Sequence, residues 1–491
     1  MDIDVDKLLY RRQYILGPRY QMKRKGWKQL RIGENLCATV HPELETIQTE
    51  ANGIQLTLLG FIIDPFRPLY SNEEVLQNIN RNARNFDDVI FQTDCCGGRW
   101  LIIYSDGAGV KLFHDTCGLR QVFYTRSNGE VWCGSQPAIL VDCLEETFFE
   151  FDESAMELID SPQFDKTERV WPGEGTIYKA IKHLMPNHYL DVITGSTARF
   201  WPTEKLEELD VGYAVRLGTE MLQGSLQAAA NRYDLMLPVT AGWESRTLLA
   251  ASRAFSDKIT YYISKHCELN ANSADIRVPM QLLPRLGLQL NVMECERSMD
   301  PQFREILHKN VTMARTLPKS LTIFHHYKYS QGRLNVCGNG SEVAKKCVYT
   351  YFDRKRIDGR FLALITGYKN VGFATGQYDK WLQDTRHIAK EYNIDIFDLF
   401  YWEQRMGTWG AMYPAEQDIA IEEFWPFSNR KLLTTLMKVD TRYRNPPHYV
   451  LYRELIASMW KETLREPINP MSFQEKGRTL LRDTYKRYLL R

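Results

Sequence analysis

Leu235 to Ser252 reads LMLPVTAGWESRTLLAAS. An apolar run of Leu235, Met236, Leu237 and Val239 stops at Thr240-Ala241-Gly242-Trp243-Glu244-Ser245, and an apolar-periodic segment follows. The pattern predicts a strand, a tight hydroxyl- and glycine-containing loop, then a helix. Such a junction aims unpaired backbone N–H groups at an anion, and the helix dipole favours negative charge there. Thr240, Ser245 and Arg246 add donors, and Glu244 offers a carboxylate for a divalent cation that shields phosphates. The residues read as a nucleotide phosphate site. The plain alternative is an ordinary strand-to-helix turn with a serine near the helix start as its cap. The glycine-rich P-loop with its lysine is absent, which disfavours that class of ATPase.

A second stretch bears on the choice. Arg333 to Tyr349 reads RLNVCGNGSEVAKKCVY: a short strand (Leu334, Val336), then Gly338-Asn339-Gly340-Ser341-Glu342. Paired glycines also mark plain turns. The first loop resembles a diverged pyrophosphate-binding loop (Ser-Gly-Gly-x-Asp-Ser) of the asparagine-synthetase-like ATP pyrophosphatases, keeping the hydroxyls, one glycine and a carboxylate. The second is similar to that family's Ser-Gly-Glu-Gly-Ser-Asp-Glu motif, which faces the pyrophosphate loop across the nucleotide. The resemblance implies Cys337 and Gly338 at the adenylate, Asn339 at the family's Glu, and Glu342 at its metal-binding Asp. It also implies ATP and Mg²⁺ as cofactors, with Glu244 and Glu342 as a longer-armed Mg²⁺ pair. Gly242 to Ser245, with Arg246, would hold pyrophosphate, and backbone atoms of Val239 and Ile263 would contact adenosine. The family's Asp-Arg-Met-Ser aligns with Gln404-Arg405-Met406-Gly407, so the implied catalytic set is Asn339, Glu342 and Arg405.

Working outward, the chain of 491 residues is long enough for about two or three domains. An apolar fraction of 44% and an aromatic fraction of 12% fit an ordinary globular protein. There is no run of eighteen apolar residues, so no transmembrane helix is expected. The start, MDIDVDKLLYRRQYILGPRY, lacks the apolar core of a secretory signal. Ten cysteines stand without zinc spacing, Cys95 and Cys96 being adjacent, which predicts reduced thiols in a cytoplasmic setting. His325-His326 reads as packing rather than a metal pair. A net charge of +1 does not recommend nucleic acid as a partner. Two basic clusters stand at Arg19, Lys23, Arg24, Lys25, Lys28 and at Arg478, Arg482, Lys486, Arg487, Arg491; the second has helical spacing and reads as a solvated face, with an acidic partner or nucleic acid as the alternative.

The texture divides in two. From about Gln29 to Trp201, short β-rich segments include Ile54–Ile63, Arg99–Tyr104, Gly109–His114, Val122–Thr125 and Glu130–Gly134, with helices at Asn72–Asn85 and Pro137–Leu144. This predicts stacked antiparallel sheets. From Val211 onward the strands Leu235–Val239, Lys258–Ser264, Leu288–Glu294 and Leu334–Cys337 alternate with helix-like stretches. That predicts a parallel sheet with helices on both faces. Beyond Gln377 the chain reads as mostly helical, and the charged, Pro-containing segment Trp201–Asp210 reads as the boundary.

The N-terminal half carries its own resemblance. CGGRWLIIYSDGAGVKLFHDTCGLRQVFYTRSNGEVWCGSQPAIL is similar to the glutaminase domain of asparagine synthetases, with Asp115, Gly118, Gly129 and Glu130 at matching positions. The segment GTIYKAIKHLMPNHYLDVITGSTARFW looks like its closing β-segment. The implied fold is α/β: a degenerate Ntn-hydrolase-like antiparallel sandwich over 1–205, then a HUP-like parallel-sheet ATP-pyrophosphatase domain over 206–491 with a helical C-terminal part. The glutaminase needs an N-terminal Cys, whereas Met1 is followed by Asp2 and the first Cys is Cys37. The family's Asn-Gly-Glu oxyanion segment is replaced by Gly60-Phe61-Ile62. Glutamine hydrolysis is therefore not expected.

The implied reaction joins a small-molecule or peptide carboxylate to ammonia or a substrate amine through an acyl-adenylate, as in the β-lactam synthetases. No membrane partner is expected, and a homodimer stays open. Glu422-Glu423-Phe424-Trp425-Pro426-Phe427 has Phe where the family's Glu-x-Arg-x-Pro-Phe has Arg. REPINP (Arg465 to Pro470) stands where an Arg-x-Lys-x-Gly stretch is expected, so the family's catalytic Lys has no placed counterpart; Lys476 and Arg465 are the substitutes at hand. The alternatives are a non-catalytic nucleotide-binding or scaffolding relative and a pyrophosphatase-type enzyme acting on sulfur or tRNA.

Overall fold

Twelve strands between residues 14 and 199 build two sheets in the computed structural model, which describes residues 3–144, 149–266, 269–315, 317–346 and 357–470. They are β1 (Tyr14–Gly17), β2 (Lys28–Ile32), β3 (Leu36–Val40), β4 (Thr46–Ala51), β5 (Ile54–Ile63) and β6 (Gly97–Ser105), then β7 (Val110–His114), β8 (Phe123–Ser127), β9 (Glu130–Gly134), β10 (Lys182–His183), β11 (His188–Asp191) and β12 (Thr197–Arg199). One sheet has the order β10-β8-β9-β1-β3-β2, the other β12-β11-β7-β6-β5-β4. Every strand pairing in both is antiparallel, so the expected antiparallel sheets are present.

The period of two along a strand explains the layering. On β5, Ile54, Leu56 and Leu58 pack under the helices Asn72–Asn82 and Phe86–Thr93, against Val75, Leu76, Ile79, Phe86 and Val89. Leu59 faces the opposite way, into the space between the sheets, with Leu101, Ile103, Leu112, Tyr14 and Leu16. The outer face of the other sheet is covered by the helix Pro137–Leu144 through Ile139 and Leu140. Ser71 starts the helix over β5 with a capping box to Glu74.

The second region holds the parallel sheet: β13 (Leu235–Pro238), β14 (Ile259–Lys265), β15 (Asn291–Glu294), β16 (Leu334–Val336) and β17 (Glu422–Phe424), in the order β15-β14-β13-β16-β17. All four pairings are parallel. Leu235 and Leu237 face the core shared by the helices Val211–Arg232, Trp243–Ala251 and Ala274–Arg285. Met236 faces the other side, against Phe303, Ile306, Ile323 and Tyr327 of Pro301–Asn310 and Leu321–Tyr329. Helices therefore cover both faces, as expected. β17 was not expected: the segment Glu422-Glu423-Phe424 is too short and too polar to read as a strand. It works because Glu423 is buried with partners, Asn335 Nδ2 donating to Oε1 at 3.0 Å and Trp425 Nε1 to Oε2 at 3.1 Å.

The two regions share one apolar core. Phe61, Ile63 and Leu119 of the sandwich cluster with Leu222, Leu226, Phe424, Trp425 and Phe427. Beside it lies a buried ion cluster. Arg99 on β6 forms a two-pronged pair with Asp418 at 2.5 and 2.6 Å. Arg120 reaches Glu422 at 2.5 Å, and Arg12 Nη1 donates to the Asp418 carbonyl at 2.7 Å. The leading segment also belongs to this contact: Leu8 packs with Met236 and Phe303, and Asn310 Nδ2 donates to the Leu8 carbonyl at 2.8 Å. Among the described residues, no helix is long and apolar enough to cross a membrane.

Removing one partner of a buried pair strands the other charge and costs about 3–5 kcal/mol. Asp418→Ala is therefore expected to lower stability by about 3–5 kcal/mol in urea unfolding. The double variant Arg99→Met/Asp418→Leu should recover much of that loss, because neither charge is then left buried alone.

Candidate functional site

The strand order fixes where a ligand fits. From β13 the chain runs outward through β14 and β15, then returns to lay β16 and β17 on the other side. The switch point lies between β13 and β16, which pair Leu235 to Leu334 and Met236 to Asn335. Crevices beyond the carboxyl ends of strands at such a point are the usual ligand sites of open parallel sheets. The two loops singled out in the sequence, 239–242 and 337–342, follow these two strands. They touch: a Cβ added to Gly338 would lie 2.8 Å from the Glu244 Cβ and 3.0 Å from its carbonyl carbon. Only glycine permits that approach.

The first loop is held largely by its own side chains. Thr240 N donates to Ser245 Oγ at 3.1 Å, Gly242 N to Thr240 Oγ1 at 3.2 Å, and Ala241 N to Asp275 Oδ1 at 3.0 Å. Val239 N donates to the Tyr262 carbonyl at 2.8 Å, which sets Val239 beside Ile263 on the neighbouring strand. Both Val239 and Ile263 are buried. The helix Trp243–Ala251 has Gly242 as N-cap and no side-chain cap. Ser245 is therefore not the cap; it braces the loop from inside. The Trp243, Glu244 and Ser245 N–H groups are the first three of the helix and have no intrahelical acceptor. They, rather than the already engaged Gly242 N–H, are the backbone donors at this helix start that could receive an anion.

Arg246 is a correction. It is fully buried, and Nη1 donates to the carbonyls of Thr463 at 2.6 Å and Glu466 at 3.0 Å. The guanidinium ties the helix to the segment after Trp460 instead of lining the loop. Burial pulls its pKa down to about 10, and Nε and Nη2 have no hydrogen-bond partner. The C-terminal segment returns over the loop, with Asn469 N donating to the Ala241 carbonyl at 2.8 Å. Arg465 is exposed, and Lys476 lies outside the described residues.

Charge in the crevice is shared among four groups. Lys345, almost fully buried, forms an ion pair with Glu244 and lies 5.7 Å from the centre of the Tyr449 ring. Glu342 stands in the turn Ser341–Val343, after Gly340 at φ +91°. Its Oε2 is enclosed and has no hydrogen-bond partner. Burial pushes the Glu342 carboxyl up to about 6, opposed by its own and the Gly340 backbone N–H groups and by the Arg405 charge. Arg405 stacks on Trp409 at 3.9 Å, within the wide-turn helix Tyr401–Gly410. Cys337 N donates to the Phe424 carbonyl at 2.8 Å, and burial raises the thiol well above its ordinary range. Asn339 is half-buried in the same loop.

The structure thus brings the start of the helix Trp243–Ala251, after the 239–242 loop, against the 337–342 loop at Gly338 and Glu244, with Lys345 on Glu244 and Arg405 in electrostatic reach of Glu342. An orphaned carboxylate oxygen beside a bare helix start fits a cation bridging to phosphates. Glu342 would hold that cation directly; Glu244 would share its charge with Lys345. Among the described residues no group of three or more His, Cys, Asp or Glu forms a metal cage, so a cation here would draw most ligands from phosphate and water. Lys345 and Asp275 were missed in the sequence. Lys345 stands in the quoted stretch three residues after Glu342, but nothing local marks it as reaching Glu244. Asp275 lies in the first turn of Ala274–Arg285 and carries no signal of its loop contact. His326 is packed edge-on to Tyr262 at 5.7 Å, as expected of a core histidine.

Neither a family model nor a curated protein matches this chain. Among solved structures it is similar to one titled the allosteric regulatory enzyme of purine biosynthesis, at 10% identity and a TM-score of 0.25, covering 62% of this chain and 76% of that one. It is also similar to glutamine phosphoribosylpyrophosphate amidotransferase from B. subtilis complexed with ADP and GMP, at 10% identity and a TM-score of 0.24, covering 69% and 72%. At these values the likeness carries no inference about activity.

The raised Glu342 pKa has a sign. The folded state holds this proton more tightly than the unfolded chain, so its stabilising contribution is present below the ordinary carboxyl pKa of 4.5 and is lost as pH rises through about 6. Glu342→Gln should therefore melt higher than wild type at pH 7 and converge with it near pH 4. A melting series across that range without Mg²⁺ or nucleotide checks it.

Proposed function

We propose that this chain binds Mg·ATP in the crevice at the β13/β16 switch point and uses it to activate a carboxylate. A substrate carboxylate oxygen attacks the α-phosphorus, the bond to the β-phosphate oxygen breaks, and pyrophosphate leaves. An amine or ammonia then attacks the acyl carbon and AMP departs, giving an amide. The observation that carries the reading is the contact of the two loops, Gly338 against Glu244, at the carboxyl ends of adjacent parallel strands. The Trp243, Glu244 and Ser245 N–H groups would hold pyrophosphate as charge grows on it. Lys345 is suited to follow that charge, leaving Glu244 for the phosphate when the nucleotide enters. Mg²⁺, when bound, neutralises the polyphosphate. Arg405, in electrostatic reach of Glu342, would serve the α-phosphate side.

The N-terminal half acts in this reading as a scaffold that hydrolyses no glutamine. A Cβ at Gly60 would meet the Arg99 carbonyl at 2.2 Å, so no side-chain donor fits there. Asp115 is fully buried and accepts from the N–H groups of Cys117, Leu119 and Arg120, which makes it a turn organiser. In this reading the chain is an asparagine-synthetase-like ligase with HUP-like nucleotide binding and a degenerate Ntn-type partner.

The Glu244–Lys345 pair and the internally satisfied loop favour a second reading, a nucleotide-binding relative without catalysis. Both readings expect Mg·ATP to bind in the micromolar range by calorimetry. Glu342→Ala and Glu244→Ala should each weaken it at least about tenfold, or ~1.4 kcal/mol. The absence of saturable binding by folded wild type would sink both. Pyrophosphate release that depends on an added carboxylate, and that Arg405→Ala abolishes while nucleotide still binds, selects the ligase. Binding with no release across a broad carboxylate panel selects the other.

A further inference from the structure

Away from the nucleotide crevice, a cavity of about 620 Å³ opens where the helix Phe86–Thr93, the boundary segment after Trp201 and the helix Arg430–Met437 meet. Its wall includes Cys95, Arg430 and Lys431, and Phe66, Phe91 and Tyr213 stand exposed around it. Cys95 and Cys96 form the turn into β6. Both thiols lie against one carbonyl, that of Gln92, at 3.7 and 3.8 Å, and they hydrogen-bond to each other. Cys96 is buried, so Cys95 is the member open to the cavity. The hydrogen bond from Cys96 holds the Cys95 thiol below its ordinary pKa, with Lys431 helping; burial and Asp64 oppose. Asp64 is itself paired with Arg67 at 2.8 Å.

The cavity wall carries Asp94 and Glu204 against Arg430, Lys431 and Lys438, an excess of one cation, and Lys438 is paired with Glu204. Arg430 is almost fully buried, reaches Asp94 only at 3.3 Å through Nη1, and has no partner for Nε or Nη2. Lys431 is exposed, and its ammonium has no partner among the described residues. A thiol with a lowered pKa, in a cavity whose wall also carries Lys431 and the unsatisfied Arg430 guanidinium inside an apolar rim, is suited to a small anionic electrophile. The geometry points to Cys95 as a modification site that exchanges with low-mass disulfides bearing carboxylates. The Cys95 thiolate attacks one sulfur of the disulfide, the S–S bond breaks, and the other half leaves as a thiolate. Cys95 ends as a mixed disulfide, and no further oxidant is needed. Asn429 Nδ2 donates to the Cys95 carbonyl at 2.6 Å, so the modified turn abuts the segment that leads from β17.

The test is peptide mapping by mass spectrometry of native full-length protein exposed to glutathione disulfide (anionic) or cystamine (cationic), each normalised to a reference cysteine peptide. Cys95 should react faster than the peptide with glutathione disulfide, by about fivefold or more, and show a smaller gain with cystamine. Lys431→Glu, a surface change, should invert that preference, and Cys96→Ala should slow both reactions. No Cys95 adduct before unfolding, or a charge preference that Lys431→Glu leaves unchanged, would overturn the proposal.

Discussion

The buried pair of Arg99 and Asp418 is the contact through which one half of this protein positions the other. Asp418 lies four residues before Glu422, where β17 begins. β17 pairs with β16 from Leu334–Glu422 to Val336–Phe424, and Cys337 N then donates to the Phe424 carbonyl. The next residues are the loop that carries Asn339 and Glu342. A cation on a sandwich strand thus fixes an edge strand of the parallel sheet, and through it the loop that follows β16. Gly340 shows how close the halves come: a Cβ there would lie 3.5 Å from Phe427 and 3.8 Å from the Cys117 sulfur. A bidentate guanidinium–carboxylate pair suits this task because it fixes orientation as well as distance.

This dependence gives the N-terminal half a structural task in the second half. Its apolar face continues directly into the core of the other half through Phe61, Ile63 and Leu119. Taken alone, the second half would expose that face and leave Asp418 and Glu422 without their arginines. The leading segment adds to the bond, since Leu8, Tyr10, Arg11 and Arg12 all contact the second half.

Much of the fold was legible because burial patterns are local. Ile54–Ile63 and Glu130–Gly134 stand where alternation places them, and Pro137–Leu144 where helical periodicity does. β13, β14 and β16 fall within a residue or so of the expected strands, and β15 starts three residues later, at Asn291. β17 was hidden because its stability comes from Asn335 and Trp425 satisfying Glu423, a relation no window of sequence displays. The two loops were legible as facing partners only through the family resemblance, because no local pattern joins them; the strand order supplies the contact of Gly338 with Glu244. The role given to Arg246 failed for a similar reason: the carbonyls that capture it come from Thr463 and Glu466, more than two hundred residues on. Lys345 was passed over because its partner lies on the other loop.

The central claim is that the bare start of the helix Trp243–Ala251, facing the 337–342 loop, is where the triphosphate sits. Hydrogen exchange of backbone amides, with and without Mg·ATP, reads it at the atoms concerned. The account predicts that peptides spanning 240–246 and 337–343 gain protection together, and that the amides of Trp243, Glu244 and Ser245 slow most. Protection at another surface, with these amides unchanged under saturating nucleotide, would contradict it.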